Sequence, residues 1–383
     1  MSTPRAPRKL VCVDCRYIRE RPSGISPLVQ ALVDHAPEMC PDWDFLFLKH
    51  PKGPARLSQL PNTRDVVVSA EANGPATLLW LPRVVDLRGV DLFHATFNIL
   101  PAGLKMPTVV TLCDVMWLKY PAWARTALPW GWVETVFYRR GIRQALRHAT
   151  RLAAISDATR REIATCDAAA DERTRVTLLG VSTDFHVLAD RARVDAAREK
   201  WLPGARRFVL TVGQFAAYKN QEAALRGFAR AFPGDSDVHY GLVQRLGPGE
   251  RALRPIAESL GVGARVHFLS GVPFPELVAL YNGATCLLHP SLYEGFGNPP
   301  SEALACGCPV ITSNRSSMPE VSLDAAEYVD PESIESIASA LVRVATDPAL
   351  ASGMRERGLA RAQQLSWRAF AAANVEIYRE LLG

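Results

Sequence analysis

Short apolar runs bounded by turn residues recur along the chain, with helix-patterned stretches between them. Leu10 to Val13, Asp44 to Leu48, Asp65 to Ser69, Val90 to His94, Thr108 to Cys113, Leu152 to Ile155 and Arg175 to Leu179 read as buried strands. Between them fall a helix holding Leu28, Leu32 and Val33, an apolar helix around Leu78 to Val85, and a helix that opens at Asp157 with Ser156 as its cap. A second series begins after the charged stretch Asp190 to Trp201 and the Pro203-Gly204 break. Its strands are Arg207 to Val212, Val238 to Val243, Arg265 to Leu269 and Ala284 to Leu288. Strands that alternate with helices predict parallel sheets covered on both faces.

At 383 residues the chain exceeds the usual size of one core, so two domains are expected. Hydrophobic content of 48% and charged content of 22% are those of a globular protein, and no apolar run reaches the length of a bilayer span. The start, MSTPRAPRKLVCVDC, lacks the long apolar core of a signal peptide, which points to a cytoplasmic protein. Most of the eight cysteines sit inside apolar patterns, where a thiol acts as a small hydrophobe. Cys12 and Cys15, and Cys306 and Cys308, form close pairs without the partner spacing a zinc site needs, so no metal is expected. Asp42-Trp43-Asp44 and Asp235-Ser236-Asp237 have the D-x-D form of metal-dependent sugar transferases, but both read as surface residues.

The densest chemistry lies in HPSLYEGFGNPPSEALACGCPV, from His289 to Val310. An apolar strand runs into a loop with Glu294, Gly295 and Gly297, and a short helix should begin at about Pro299 with Asn298 as its cap. Such a strand-to-helix turn presents backbone N–H groups and a positive helix end to an anion, phosphate first of all. Glu294 and Glu302 flank it. A carboxylate accepts hydrogen bonds from two neighbouring hydroxyls, so two of them beside a phosphate turn suit a ligand with polyols on either side of its phosphates, a nucleotide sugar.

The string YEGFGNPPSEALACGCPVITS, continued by SSMPEV and Tyr328-Val329-Asp330-Pro331, resembles the signature of the retaining glycosyltransferases of family 4, with its EX7E pair of glutamates. That resemblance implies a GT-B architecture of two Rossmann-like domains whose parallel sheets face an interdomain cleft. It implies an acceptor domain over 1–185, a nucleotide-sugar domain over 186–365, and a C-terminal helix over 366–383 that packs back on the first domain. By the same resemblance Glu302 would bind the ribose hydroxyls and Glu294 the transferred sugar, while the backbone of Gly295, Phe296 and Gly297 holds sugar and phosphates.

Gly213 and Lys219 match the family's diphosphate site. There a fixed ammonium would stabilise the charge that gathers on a departing nucleoside diphosphate. The arginine the family often adds is replaced by Gln214 and Tyr218, and Arg245 is a substitute by position. In the first half, Gly24 follows the first strand and reads either as a turn glycine or as a close-approach position toward the donor. His94 and Asp114 end their strands and are similar in place to cleft residues of the family. Cys113 stands where the family usually has a histidine, and a thiol is a poorer donor than an imidazole.

Residues 117–148 carry Trp117, Trp123, Trp130 and Trp132, then Arg139, Arg140, Arg143 and Arg147. The pattern suits a solvated helix face beside packed tryptophans first, and a peripheral contact with the inner membrane face second. No G-x-G-x-x-G follows the first strand, which excludes a dinucleotide oxidoreductase, and the five excess positive charges form no nucleic-acid motif. The resulting expectation is a retaining, metal-independent hexosyltransferase with no cofactor. It would move a mannose- or glucose-type hexose from a GDP- or UDP-sugar to a glycan or lipid-linked glycan. The alternative is a nucleotide-sugar-binding protein of the same fold with little transferase activity, motivated by Cys113 and the missing arginine.

Overall fold

A computed structural model describes residues 8–20, 24–124, 130–234, 237–244 and 248–383. The chain divides into two compact units, residues 1–180 with 367–383, and residues 181–366. The division falls after Gly180 and not after Phe185 because the Phe185 ring packs edge-on against Phe274 and Tyr281, both of the second unit.

In the first unit, β1 (Leu10–Asp14), β2 (Asp44–Lys49), β3 (Thr63–Val67), β4 (Leu92–Ala95), β5 (Thr108–Leu112), β6 (Arg151–Ala154) and β7 (Thr174–Val176) form one sheet in the order β3-β2-β1-β4-β5-β6-β7. Every neighbouring pair is parallel. The central strands are buried along their whole length, as parallel strands covered on both faces must be. The helix Trp367–Leu382 returns to this unit and packs on the helix Ser26–Met39, burying Phe370, Val375, Ile377 and Tyr378. Ser156 caps the helix Asp157–Cys166 as its sequence predicts, its hydroxyl accepting from the Thr159 amide.

In the second unit, β8 (Arg207–Val212), β9 (Val238–Val243), β10 (Val266–Leu269), β11 (Cys286–His289), β12 (Val310–Ser313) and β13 (Ala326–Val329) form a parallel sheet in the order β10-β9-β8-β11-β12-β13. Alternate residues of β8 enter different cores: Val209 joins the cluster with Phe228, Tyr240 and Leu341, whereas Phe208 and Leu210 join Leu280, Tyr281 and Leu304. The strand order reverses between β8 and β11. In open α/β sheets ligands bind at such a switch point, outside the carboxyl ends of the two strands. In the first sheet the corresponding point lies between β1 and β4.

Candidate active site

The loops that leave β8 and β11 bring Lys219 and Glu294 together. β8 is followed by Gly213, whose φ of +147° a side chain would rarely adopt and where a Cβ would lie 3.9 Å from Lys219 Cε. The chain then makes a single 3-10 turn, Ala217–Lys219, and Asn220 follows in the left-handed region. The Asn220 side-chain amide donates to the carbonyls of Pro290 (3.1 Å) and Pro331 (2.7 Å), and the Leu292 amide donates to the Tyr218 carbonyl at 2.7 Å. The Pro290 and Leu292 bonds staple the Lys219 turn to the loop carrying Glu294, about 75 residues away in sequence, and the Pro331 bond ties it to the loop after β13.

Glu294 is held by a cluster of donors on one of its two oxygens. Lys219 Nζ (2.5 Å), His289 Nε2 (2.9 Å) and Ser291 Oγ (2.9 Å) all reach Oε1. Burial by itself would raise this carboxyl, but the lysine and the histidine outweigh it and hold it at about 2. The same burial pushes His289 down, so the ring is neutral near pH 7 and donates to the carboxylate. Lys219 also loses hydration, yet the neighbouring carboxylates hold its pKa above the usual lysine value. The backbone around Glu294 is fixed by serines: Ser316 Oγ and Ser317 Oγ donate to the Glu294 carbonyl at 2.6 and 3.0 Å, and Ser317 Oγ also lies 2.5 Å from the Phe296 carbonyl.

The helix that follows is Asn298–Ala305, one residue earlier than its prolines suggest. Asn298 is therefore its first helical residue, and Gly297 takes the cap position at φ +115° with no side-chain cap bond. The Gly297 backbone angle favours glycine, and a Cβ there would stand 2.5 Å from the Met318 methyl, which would have to shift. Pro299 and Pro300 have no N–H, so the donors at this helix end are concentrated in the amides before them.

Glu302 sits inside this helix, and its Oε2 accepts from the buried Tyr281 hydroxyl at 2.8 Å. Its environment is unlike that of Glu294. Desolvation dominates, the tyrosine and Lys219 only partly offset it, and the carboxyl is raised to about 7. The site thus contains one acid held ionised and one poised to titrate near neutrality.

Of the other expected site residues, His94, Asp114 and Gly24 belong to the first unit. His94 is fully buried in the first unit, with Nδ1 2.5 Å from the Tyr378 hydroxyl and Nε2 2.8 Å from the Thr111 hydroxyl. Desolvation lowers it to about 3. Its two ring nitrogens thus tie the C-terminal helix to β4 and β5 through hydroxyls inside the core. Asp114 accepts the Met116 amide at 3.0 Å at the start of a one-turn helix, Met116–Lys119. Gly24 is exposed and a Cβ there would meet nothing within 4 Å, so no steric reason selects glycine. Arg245 lies outside the described residues, as do Asp235 and Ser236. Cys113 is desolvated and its thiol pushed up, which keeps it protonated. Among the described residues no group of three or more His, Cys, Asp or Glu could hold a metal ion.

In the 117–148 block, Trp117 stacks on Tyr138 and packs against the core, and Trp123 stacks on Tyr120. Trp132 is 67% exposed, and the Trp130 side chain lies outside the described residues. Along the helix Trp130–His148, Trp132 and Val136 share a groove of about 840 Å³ with Arg139, Arg140, Arg143 and Arg147. No described helix is long and apolar enough to cross a membrane. His289, Ser291, Tyr281 and Asn220 carry the site's geometry without having been singled out from sequence; the only signal was that all but Tyr281 flank the glutamate and lysine motifs.

Two parallel sheets of this order, with the site at the switch point of the second, define a two-domain Rossmann-like protein of the GT-B class. Residues 194–361 match the family model described as Glycosyl transferases group 1. That match covers the second unit, where Lys219, Glu294 and Glu302 lie. The chain is 28% identical over 247 residues to O-antigen chain mannosyltransferase B of Escherichia coli, spanning 64% of each chain. It is 30% identical over 245 residues to MMP alpha-(1->4)-mannosyltransferase of Mycolicibacterium hassiacum, 63% of this chain and 56% of that one. Among solved structures, WaaG, a glycosyltransferase involved in lipopolysaccharide biosynthesis, superposes with a TM-score of 0.73 at 18% identity, over 97% of this chain and 100% of that one. Anabaena Alr3699/HepE in complex with UDP-glucose gives 0.70 at 18% identity, over 97% and 100%. At such identities the two structures speak for the fold.

Proposed function

We propose that the chain is a retaining glycosyltransferase of family 4 that moves a hexose, mannose or glucose in type, from a GDP- or UDP-sugar to a hydroxyl of a glycan or lipid-linked glycan. The observation that carries this is the Lys219–Glu294–Glu302 arrangement around the Gly295–Gly297 turn, at the switch point of the sheet. Lys219 supplies positive charge for the diphosphate. The Glu294 oxygen not engaged by Lys219, His289 and Ser291 is the acceptor for sugar hydroxyls, and Glu302 takes the ribose diol. In the transfer, the bond from the anomeric carbon to the diphosphate oxygen breaks and the acceptor oxygen bonds to that carbon on the same face. The acceptor proton passes to the leaving phosphate. Protein groups supply position and charge stabilisation, so no metal and no cofactor enter the scheme.

The named activity of the Escherichia coli and Mycolicibacterium relatives favours mannose as the sugar. The exposed Trp132 and the arginines of the same helix favour an acceptor at a membrane surface, with the chain bound peripherally to the cytoplasmic face. Purified protein incubated with radiolabelled GDP-mannose, UDP-glucose and a membrane extract tests the reading. Transfer of label with retained anomeric configuration supports it. Donor binding without turnover across these acceptors would support the alternative, a nucleotide-sugar-binding protein of the same fold.

A further inference from the structure

Beside the proposed donor site lies a set of polar groups that the scheme above does not use. Gln244 follows β9 directly, and its backbone N–H completes the ladder by donating to the Leu269 carbonyl at 3.0 Å. Its side chain is a different matter. Gln244 is 8% exposed, and neither Oε1 nor Nε2 has a hydrogen-bond partner among the described residues. Burying both ends of a primary amide unpaired is costly, and a folded chain keeps such a group when something else supplies its partners.

The surroundings say what that is. A Cβ on Gly249 would lie 2.1 Å from Gln244 Oε1 and 2.8 Å from Phe215 Cβ, so the amide, the phenylalanine and the first turn of the helix Pro248–Ser259 meet at one point. Only a residue without a side chain lets the amide lie there. Phe215 is 38% exposed, a large apolar group left uncovered at the carboxyl end of β8. Gly213, two residues before it, donates its N–H to the Val243 carbonyl, and Gln221 Nε2 donates back to the Gly213 carbonyl at 3.2 Å. Gln221 Oε1 is likewise buried without a partner. These groups adjoin the Gly213–Lys219 turn on the side away from Glu294, since β9 flanks β8 opposite to β11.

We propose that Gln244 is the residue that reads the base of the donor nucleotide, with Phe215 as the apolar surface against which the base lies. A side-chain amide offers a donor beside an acceptor, the complement of the N3–H and O4 edge of uracil and of the N1–H and O6 edge of guanine. Aromatic faces accept bases by stacking, and neighbouring polar groups then select among them. This rests on the donor-site reading and adds the nucleoside-selecting residue to it.

Titration calorimetry of the full chain with UDP, GDP and pyrophosphate tests it, on wild type, Gln244→Leu and Gln244→Met. Both substitutions keep the volume and remove the amide. The expected result is a roughly tenfold loss of affinity for the preferred nucleoside diphosphate, the size of one or two lost hydrogen bonds. Affinity for pyrophosphate, which has no base, stays unchanged. The Tm of the variants without nucleotide should equal or exceed that of wild type, because the unpaired amide has gone. Wild-type affinity for UDP and GDP in both variants would overturn the role of Gln244 alone. A fall in Tm together with equal losses for pyrophosphate would also overturn it, showing a structural amide. Failure of the wild type to bind either nucleotide would overturn the donor-site reading as well.

Discussion

Lys219 Nζ lies 2.5 Å from Glu294 Oε1, with each side chain about nine-tenths buried (12% and 11% exposed). The cation assigned to the leaving diphosphate and the anion assigned to the sugar are thus one ion pair, assembled from the loops after two adjacent strands. A diphosphate that arrives must share this lysine with the carboxylate. The histidine and serine on the same oxygen keep Glu294 charged and in place when the lysine turns to the phosphate.

Breaking this pair from one side strands a charge in a desolvated site. Glu294→Gln and Lys219→Met should each destabilise the fold by about 3 kcal/mol, while the double variant loses much less than the sum. Urea denaturation of the four proteins measures the coupling. Lys219→Met should in addition lower turnover by about a hundredfold, as loss of a group that stabilises a leaving anion does.

Glu302 sets a pH dependence with a definite sign. Its carboxyl titrates near 4.5 in an unfolded chain and at about 7 in the fold, so between those values the folded form holds the extra proton. Its contribution to stability is full below about pH 4.5 and is lost as pH rises through 7. Nucleotide binding should run the other way, because the ribose hydroxyls donate better to the ionised form. Affinity for GDP or UDP should rise several-fold between pH 6 and pH 8, and Glu302→Gln should flatten that profile and weaken binding. Calorimetry at three pH values checks both.

His94→Ala should separate stability from catalysis. Loss of two buried hydrogen bonds and the ring volume should cost about 2–4 kcal/mol. The kcat of the protein that remains folded should match wild type, since among the described residues the ring nitrogens bond only to Tyr378 and Thr111. Because burial holds the imidazole at about 3, far below an exposed histidine, wild-type stability is lost as pH falls below about 6.5, and His94→Gln should remove part of that slope.

Gly297→Ala should cost about 1–2 kcal/mol from backbone angle, with the Met318 side-chain end shifting to make room. Since this position shapes the turn proposed to receive the phosphates, nucleotide affinity should fall with it. A thermal melt with and without GDP resolves the two effects.

The arginine-lined face of the helix Trp130–His148 should bind anionic lipid. Replacing Arg139, Arg143 and Arg147 by Ala should reduce cosedimentation with phosphatidylglycerol vesicles and leave the melting temperature within about 2 °C, these side chains being on an open groove. Unchanged cosedimentation would remove the membrane contact from the proposal.

Much of this was legible before any coordinates. The alternation of apolar strands and helices gave two parallel sheets, because strands buried on both faces must be apolar throughout, and that is a property of composition along the chain. The Glu294 to Glu302 segment was legible for a similar reason: its glycines, prolines and acids act within one turn and one helix, so their spacing carries their meaning. The surroundings of His94 were not legible, because a strand-end histidine looks the same in sequence whether it faces solvent or a tyrosine 284 residues away.

The chain by itself therefore determined its sheets, its anion turn and which acids flank it. Tertiary structure alone decided which histidine serves the site, that Tyr281 and burial bring Glu302 to neutrality, that Lys219 is paired with Glu294, and that Gln244 is left without a partner. The physical reason is that local conformation follows from neighbours in sequence, whereas desolvation and hydrogen bonding depend on groups that only folding brings within reach.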